Sequence, residues 1–281
     1  MPLEPPIAAG GAQAAARNLW VRLAVAAVLI PLALLLAWGG GWWWLTLVTL
    51  AAVGLFVEWL TMVGAARNQG VVAGAVALAV AGICVVIGRP DSAAGLLAVG
   101  TLVVAVLSQV RRGWAMLGFA YAAAALFAAL LVRSSDATGF HALVFVFLVV
   151  WITDSLGYFV GRGVGGPKLW PRVSPNKTWA GALGGFFGSL VVAALLALAG
   201  FIAWLPALAL GGLLSIASQL GDLLESAVKR RFGVKDSSQL IPGHGGLLDR
   251  LDGFVAAIVV AALIGLWRGG FDGVGQGVMV W

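Results

Sequence analysis

The chain has 281 residues, of which 62% are hydrophobic and 10% charged, and a mean hydropathy of +1.03. Soluble domains carry about 25% charged residues, so a water-soluble protein is excluded, and so is a disordered chain, which would be polar. The 17 Lys and Arg against 11 Asp and Glu give a net charge of +6, which in so apolar a chain fits cytoplasmic anchoring and an anionic substrate rather than nucleic acid.

Residues 1–18 are rich in Pro, Ala and Gly and read as a short disordered tail. The apolar run after them is too long for a signal-peptide core and no cleavage site follows it. Residues 19–281 therefore read as one integral membrane domain. A spanning helix needs about 20 apolar residues. Nine such stretches follow in order: 19–38, 43–63, 71–88, 92–110, 114–132, 140–160, 182–204, 207–226 and 253–267. The expected fold is an all-α polytopic membrane protein of about nine transmembrane helices, with no internal repeat. The single cysteine, Cys84, falls inside the third stretch. That rules out an internal disulfide framework and leaves it as a small core hydrophobe.

Basic residues set the orientation. With the N-terminus in the cytoplasm, only Arg89, Arg133 and Arg268 of the 17 basic residues fall on the outer side. Nine spans then leave the C-terminus outside. Two inner loops are long and polar, 161–181 and 227–252, and they hold every lysine of the chain: Lys168, Lys177, Lys229 and Lys235. His244 lies there too. Anchoring alone needs no Pro, Asn, Thr, His or paired Asp, so the chemistry is expected at the cytoplasmic face, in a catalytic half at about 140–267.

Acids inside a membrane are costly and usually functional. Glu58, Asp154, Asp222 and Glu225 lie in predicted helices, toward their cytoplasmic ends. In the eighth span Ser215, Ser218, Gln219, Asp222, Glu225, Ser226 and Lys229 recur every three or four residues, forming one polar stripe. Such a stripe faces protein or water, either as an interhelical hydrogen-bond seam or as one wall of a cation and phosphate site. Asp249 and Asp252 are three apart and share a face if a helix begins there, with helix capping as the plainer role. Gly243, Gly245 and Gly246 permit the close backbone approach of a phosphate cradle. Carboxylates from two segments suit Mg²⁺. His244 reads as a general acid or phosphate donor, or as a structural loop histidine. In the other loop Asp154, Tyr158 and Arg162 line one helix face, while Ser174, Lys177 and Thr178 flank a Pro-fixed turn and suit a polyphosphate.

The segment from Ser226 to Asp252, with Ser-x-x-Lys-Arg, Lys-Asp and Pro-x-His-Gly-Gly-x-x-Asp-Arg-x-Asp in unbroken order, resembles phosphatidate cytidylyltransferases, the CDP-diacylglycerol synthases. Asp154–Arg162 and Ser174–Trp179 resemble the family's second conserved region, Gln219–Asp222 its lead-in, and Glu58-Trp59, more loosely, an early acidic position. Gly157 and Gly253 depart from the usual Ala and Ser: the first is expected to loosen packing around Tyr158, the second to remove a hydroxyl from the site.

The resemblance implies transfer of CMP from CTP to phosphatidic acid, giving CDP-diacylglycerol and pyrophosphate, with Mg²⁺ and with K⁺ as a second cation, in the inner membrane of a cell. It implies Asp222 and Asp249 as metal-bridging carboxylates, Asp252 and Asp154 in support, and Lys229 and His244 in catalysis. Lys177, Ser174, Arg230, Lys235, Arg250, Tyr158 and Arg162 would bind the two substrates. Apolar helix faces leave room for a homodimer. Two other classes compete. A transporter would place its acids near the midplane and show repeated halves, and this chain shows neither. A related CTP-using enzyme, such as an isoprenoid-lipid kinase or an archaeal-type cytidylyltransferase, would differ in the group transferred.

Overall fold

The computed structural model describes residues 27–134, 137–238 and 245–281. The tail at 1–18, the first residues of the first predicted span and His244 lie outside the described residues. From Ala27 the chain runs through α1 (Ala27–Gly39), α2 (Gly41–Met62), α3 (Asn68–Val86), α4 (Pro90–Ser108), α5 (Arg112–Arg133) and α6 (Ala137–Val164). A short antiparallel hairpin follows, β1 (Lys168–Trp170) and β2 (Ser174–Thr178), with Lys168 opposite Thr178. Then come α7 (Trp179–Leu198), α8 (Trp204–Arg231), α9 (Leu248–Gly269) and α10 (Val274–Met279). Among the described residues, the eight helices α2 to α9 are long and apolar enough to cross a membrane. The chain is thus an all-α polytopic protein carrying one small hairpin.

Element boundaries differ from expectation where hydropathy falls before the helix ends. The eighth predicted span stops at residue 226, yet α8 continues to Arg231 and carries Lys229 and Arg230 on its last turn. Basic side chains there complement the helix C-terminal dipole. The ninth was expected from residue 253, yet α9 starts at Leu248, so Asp249, Arg250 and Asp252 sit on a helix and not in a loop. The seventh starts earlier than residue 182 and stops at Leu198, just before Gly200 at φ +80° turns the chain. The hairpin and α10 were not expected: both are too short to leave a periodic pattern.

Burial of apolar surface does not separate helix–helix from helix–lipid contact in a bilayer, so close packing of small residues must hold the bundle. Rings fill glycine notches in the first half. A Cβ at Gly118 would meet the Trp59 ring at 2.1 Å, and one at Gly74 would meet Phe56 at 2.2 Å. Phe56 and Phe119 pack edge to face at 5.4 Å, and Trp59 Nε1 donates to the Trp114 carbonyl at 2.9 Å. In the second half, Gly181, Gly185 and Gly188 form the face of α7 against α6; a Cβ at Gly185 would stand 2.5 Å from the Thr153 carbonyl. The opposite face of α7 exposes Leu183, Phe187, Val191 and Leu195, a lipid-facing pattern. The α8–α9 crossing is equally tight: a Cβ at Gly221 would stand 2.6 Å from the Asp252 carbonyl. These glycine seams bring the C-terminal ends of α6 and α8 together with the starts of α7 and α9.

Candidate active site

The polar stripe of α8 divides between the two roles open to it. Its first turns are a seam: Thr153 Oγ1 donates to Ser215 Oγ at 2.9 Å, and Gln219 Nε2 to the Ala182 carbonyl at 3.3 Å. Its later turns, through Gln219, Asp222 and Lys229, line a cavity of about 1020 Å³ that Thr153 also borders. The far side of that cavity is set by Thr178, which is buried and caps α7 by accepting from Gly181 N at 3.1 Å. A Thr at this position satisfies one of the helix's unpaired N–H groups, ends the hairpin, and leaves Lys177 as the next residue outward.

Lys177 makes an ion pair with Asp222 of α8, the side chains being 27% and 30% exposed. Asp154 of α6 and Asp252 of α9 line the same cavity, each within electrostatic range of both Asp222 and Lys177. Three carboxylates from three helices therefore share one cavity with one ammonium group, which pairs directly with Asp222. The second charge cluster is deeper. Lys229 Nζ lies 2.7 Å from Asp249 Oδ1 and 2.6 Å from Glu225 Oε2. The Glu225 contact falls outside hydrogen-bond geometry, and neither of its oxygens accepts a hydrogen bond among the described residues. Asp249 is saturated: Oδ2 accepts from Ser237 N, Ser237 Oγ and Gly246 N, each at 3.0 Å, and Oδ1 takes Lys229.

Of the acids singled out in the sequence, Asp154, Asp222, Asp249 and Asp252 all line this cavity. Of the basic and aromatic residues, Lys177, Lys229, Arg250, Arg162 and Tyr158 do, with Arg162 donating to the Tyr158 hydroxyl at 2.7 Å. Of the other residues proposed to bind substrate, Ser174, Lys235 and Arg230 do not line it. Ser174 sits on β2, Lys235 is exposed beyond the end of α8, and Arg230 Nε reaches the Val173 carbonyl at 3.4 Å, bracing the hairpin. Asn176 is a lining residue that spacing did not single out. Glu58, legible as an intramembrane acid and loosely as an early acidic position of the resembled family, proves to bond the segment around Ser237 and Leu248.

The two departures also resolve. A Cβ at Gly157 would sit at an ordinary 3.6 Å from the Gly181 carbonyl, so the position has room for the usual Ala and glycine leaves that one contact unmade. A Cβ at Gly253 would meet Ser218 Oγ at 2.5 Å. That position therefore faces the α8 crossing, and glycine removes no hydroxyl from the cavity.

As to a metal, no three His, Cys, Asp or Glu side chains among the described residues stand close enough to hold an ion by themselves. The donor set nonetheless suits a hard cation. Asp154, Asp222 and Asp252 offer only oxygen and line one cavity with the Lys177 ammonium, which Asp222 pairs. Asp249 offers no oxygen free of protein donors.

The sequence matches the model of the cytidylyltransferase family over residues 20–267. It is 44% identical over 262 residues to the phosphatidate cytidylyltransferase of Brucella abortus (strain 2308), covering 88% of this chain and 93% of that protein. The enzyme of the same name from Brucella suis biovar 1 (strain 1330) gives the same figures. That of Staphylococcus aureus (strain COL) is 48% identical over 122 residues, 42% of this chain and 46% of its own length. With most of its length inside the family's pattern, the chain belongs to the cytidylyltransferase family.

Proposed function

We propose that this protein is a phosphatidate cytidylyltransferase, transferring CMP from CTP to phosphatidic acid with release of pyrophosphate, for phospholipid biosynthesis. The observation that carries the reading is one cavity at the end of an apolar bundle, ringed by Asp154, Asp222 and Asp252 and by Lys177, Lys229, Arg162 and Arg250. Its charges match a triphosphate and a lipid phosphate meeting at a membrane surface, and the relatives covering nearly the whole chain carry that name.

A phosphate monoester has a second pKa of about 6, so the acceptor arrives ionised and needs no strong base. One of its oxygens attacks the α-phosphorus of CTP; that P–O bond forms as the bond to the bridging oxygen breaks, and pyrophosphate leaves with the electron pair. The residues' task is to hold like-charged reactants in line and to stabilise the charge that develops. Lys177, Lys229, Arg162 and Arg250 neutralise the phosphates. Asp222, with Asp154 and Asp252, would hold Mg²⁺, whose chemistry is to screen the attacking and leaving oxygens. K⁺ is the second cation of the proposal. Asp249 keeps Lys229 at the wall through their 2.7 Å contact. The excess of basic residues on one side supports a cavity at the cytoplasmic face, and the bacterial relatives favour an inner-membrane setting.

Labelled CTP separates this reaction from a lipid kinase. The α-phosphate label should enter the chloroform-soluble product and the γ-phosphate label should leave as pyrophosphate. A γ label recovered in lipid would contradict the assignment.

A further inference from the structure

Glu58 belongs to α2, in the amino-terminal half, and does not line the catalytic cavity. It is 4% exposed, in a helix otherwise packed through apolar residues such as Phe56 and Trp59. A carboxylate buried in a spanning helix is costly, and the packing of α2 does not call for one. Its partners explain it. Oε1 accepts from Ser238 Oγ at 2.6 Å and from Leu247 N at 2.9 Å. Oε2 accepts from Ser237 Oγ at 3.0 Å and from Leu248 N at 2.8 Å. All four donors lie 179 to 190 residues away in sequence, in the segment that leads into α9.

Two of these bonds close the start of α9. Leu247 is its N-cap residue and has no side-chain cap, so the first N–H groups would be unpaired. Glu58 supplies the missing acceptor from another helix. The other two bonds fix Ser237, whose hydroxyl also lies 3.0 Å from Asp249 Oδ2 and whose N–H donates to the same oxygen. One hydroxyl proton is thus shared between the two carboxylates. The approach is possible because of glycine: a Cβ at Gly246 would fall 1.9 Å from Ser237 Oγ and 2.7 Å from Glu58 Oε2. At Gly54, one turn before Glu58, a Cβ would stand 2.9 Å from Leu247.

We propose that Glu58 is a positioning residue for the transfer reaction: it locks Ser237 and the first turn of α9, and through them holds Asp249, and with it Lys229, at the cavity wall. The inference rests on the cavity being the site of the reaction assigned above. A carboxylate is required because all four neighbours donate. Glutamine would turn an NH₂ toward one backbone N–H and free the end it faces.

The test is steady-state kinetics on purified full-length protein in detergent, per folded enzyme, with CTP and phosphatidic acid each varied. Glu58→Gln should lower kcat about 10- to 100-fold, the range for partners that orient groups in a site, with both KM values within about 3-fold. Combining it with Ser237→Ala should cost little more than Glu58→Gln alone, since both act through one contact. A merely structural Glu58 would lower the melting temperature and yield but leave kcat per folded molecule unchanged; that result, or fully additive effects, overturns the proposal. If Glu58→Gln does not fold, Ser238→Ala carries the test: a kcat lowered about 3- to 10-fold at constant KM supports the role, and wild-type kcat overturns it. Wild-type protein inactive on this substrate pair would overturn the assigned reaction and this inference together. Active wild type with an unimpaired Glu58→Gln overturns this inference alone.

Discussion

Asp222 and Asp249 carry the same chemical group in different surroundings. The Asp222–Lys177 pair is open to water, with side chains 27% and 30% exposed; such pairs contribute about 0–1 kcal/mol. Asp249 and Lys229 are 11% and 12% exposed, and Asp249 also holds the Ser237 and Gly246 N–H groups. Asp222→Ala should therefore lower kcat by about 10²–10³-fold and leave the melting temperature nearly unmoved. Asp249→Ala should lose activity and also cost about 3 kcal/mol or more, because it leaves Lys229 with Glu225 alone and strands two N–H donors. Activity assays with thermal unfolding in detergent check both, and equal stability of the two variants would contradict the division. The stripe carrying Asp222, the i, i+3 spacing of Asp249 and Asp252, and the family resemblance together pointed to both aspartates. None of these separates the two, since what distinguishes them is contact with Ser237 and Gly246. Glu58 was harder still: its partners are some 180 residues away, and no local pattern records such a pairing.

Helices were legible because bilayer crossing demands long apolar runs, and α2 to α9 each match one of the predicted stretches in order. Their ends were not, because α8 and α9 continue as helix into charged sequence where hydropathy no longer tracks structure. That shift matters, for it converts Lys229, Asp249 and Asp252 from loop residues to residues on rigid turns. The α6–α7 seam makes a paired prediction. Gly185→Ala places a Cβ 2.5 Å from the Thr153 carbonyl and must push backbone apart. It should cost about 1–3 kcal/mol and reduce activity, since α6 carries Asp154 and the residue before α7 carries, one step back, Lys177. Gly157→Ala, with 3.6 Å of room on the same interface, should be neutral or gain up to about 1 kcal/mol by restricting the unfolded chain. Unfolding temperatures of the two variants decide it; a destabilised Gly157→Ala would contradict the packing.

The whole molecule is an asymmetric object: an apolar bundle whose charged residues concentrate at one end. A smaller cavity of about 410 Å³ is lined by Gly40, Gly88 and Arg133, at the turns remote from the catalytic one. There Arg133 is bonded to the Ala37 and Trp38 carbonyls at 2.5 and 2.9 Å, closing α1. The distribution of Lys and Arg predicts that the hairpin faces the cytoplasm and the turn at Gly200 faces outward. With Cys84 replaced by Ser, a cysteine at Trp170 should react with an impermeant thiol reagent only in inside-out vesicles, and one at Gly200 only in right-side-out cells. The reverse pattern would invert the topology. The measurement that tests the central claim most directly is pyrophosphate release by the purified protein in detergent, with CTP, phosphatidic acid, Mg²⁺ and K⁺ each omitted in turn. The account predicts release that requires CTP, phosphatidic acid and Mg²⁺ together and yields a CDP-lipid. Release without the lipid, or none from folded protein with the complete mixture, would contradict it.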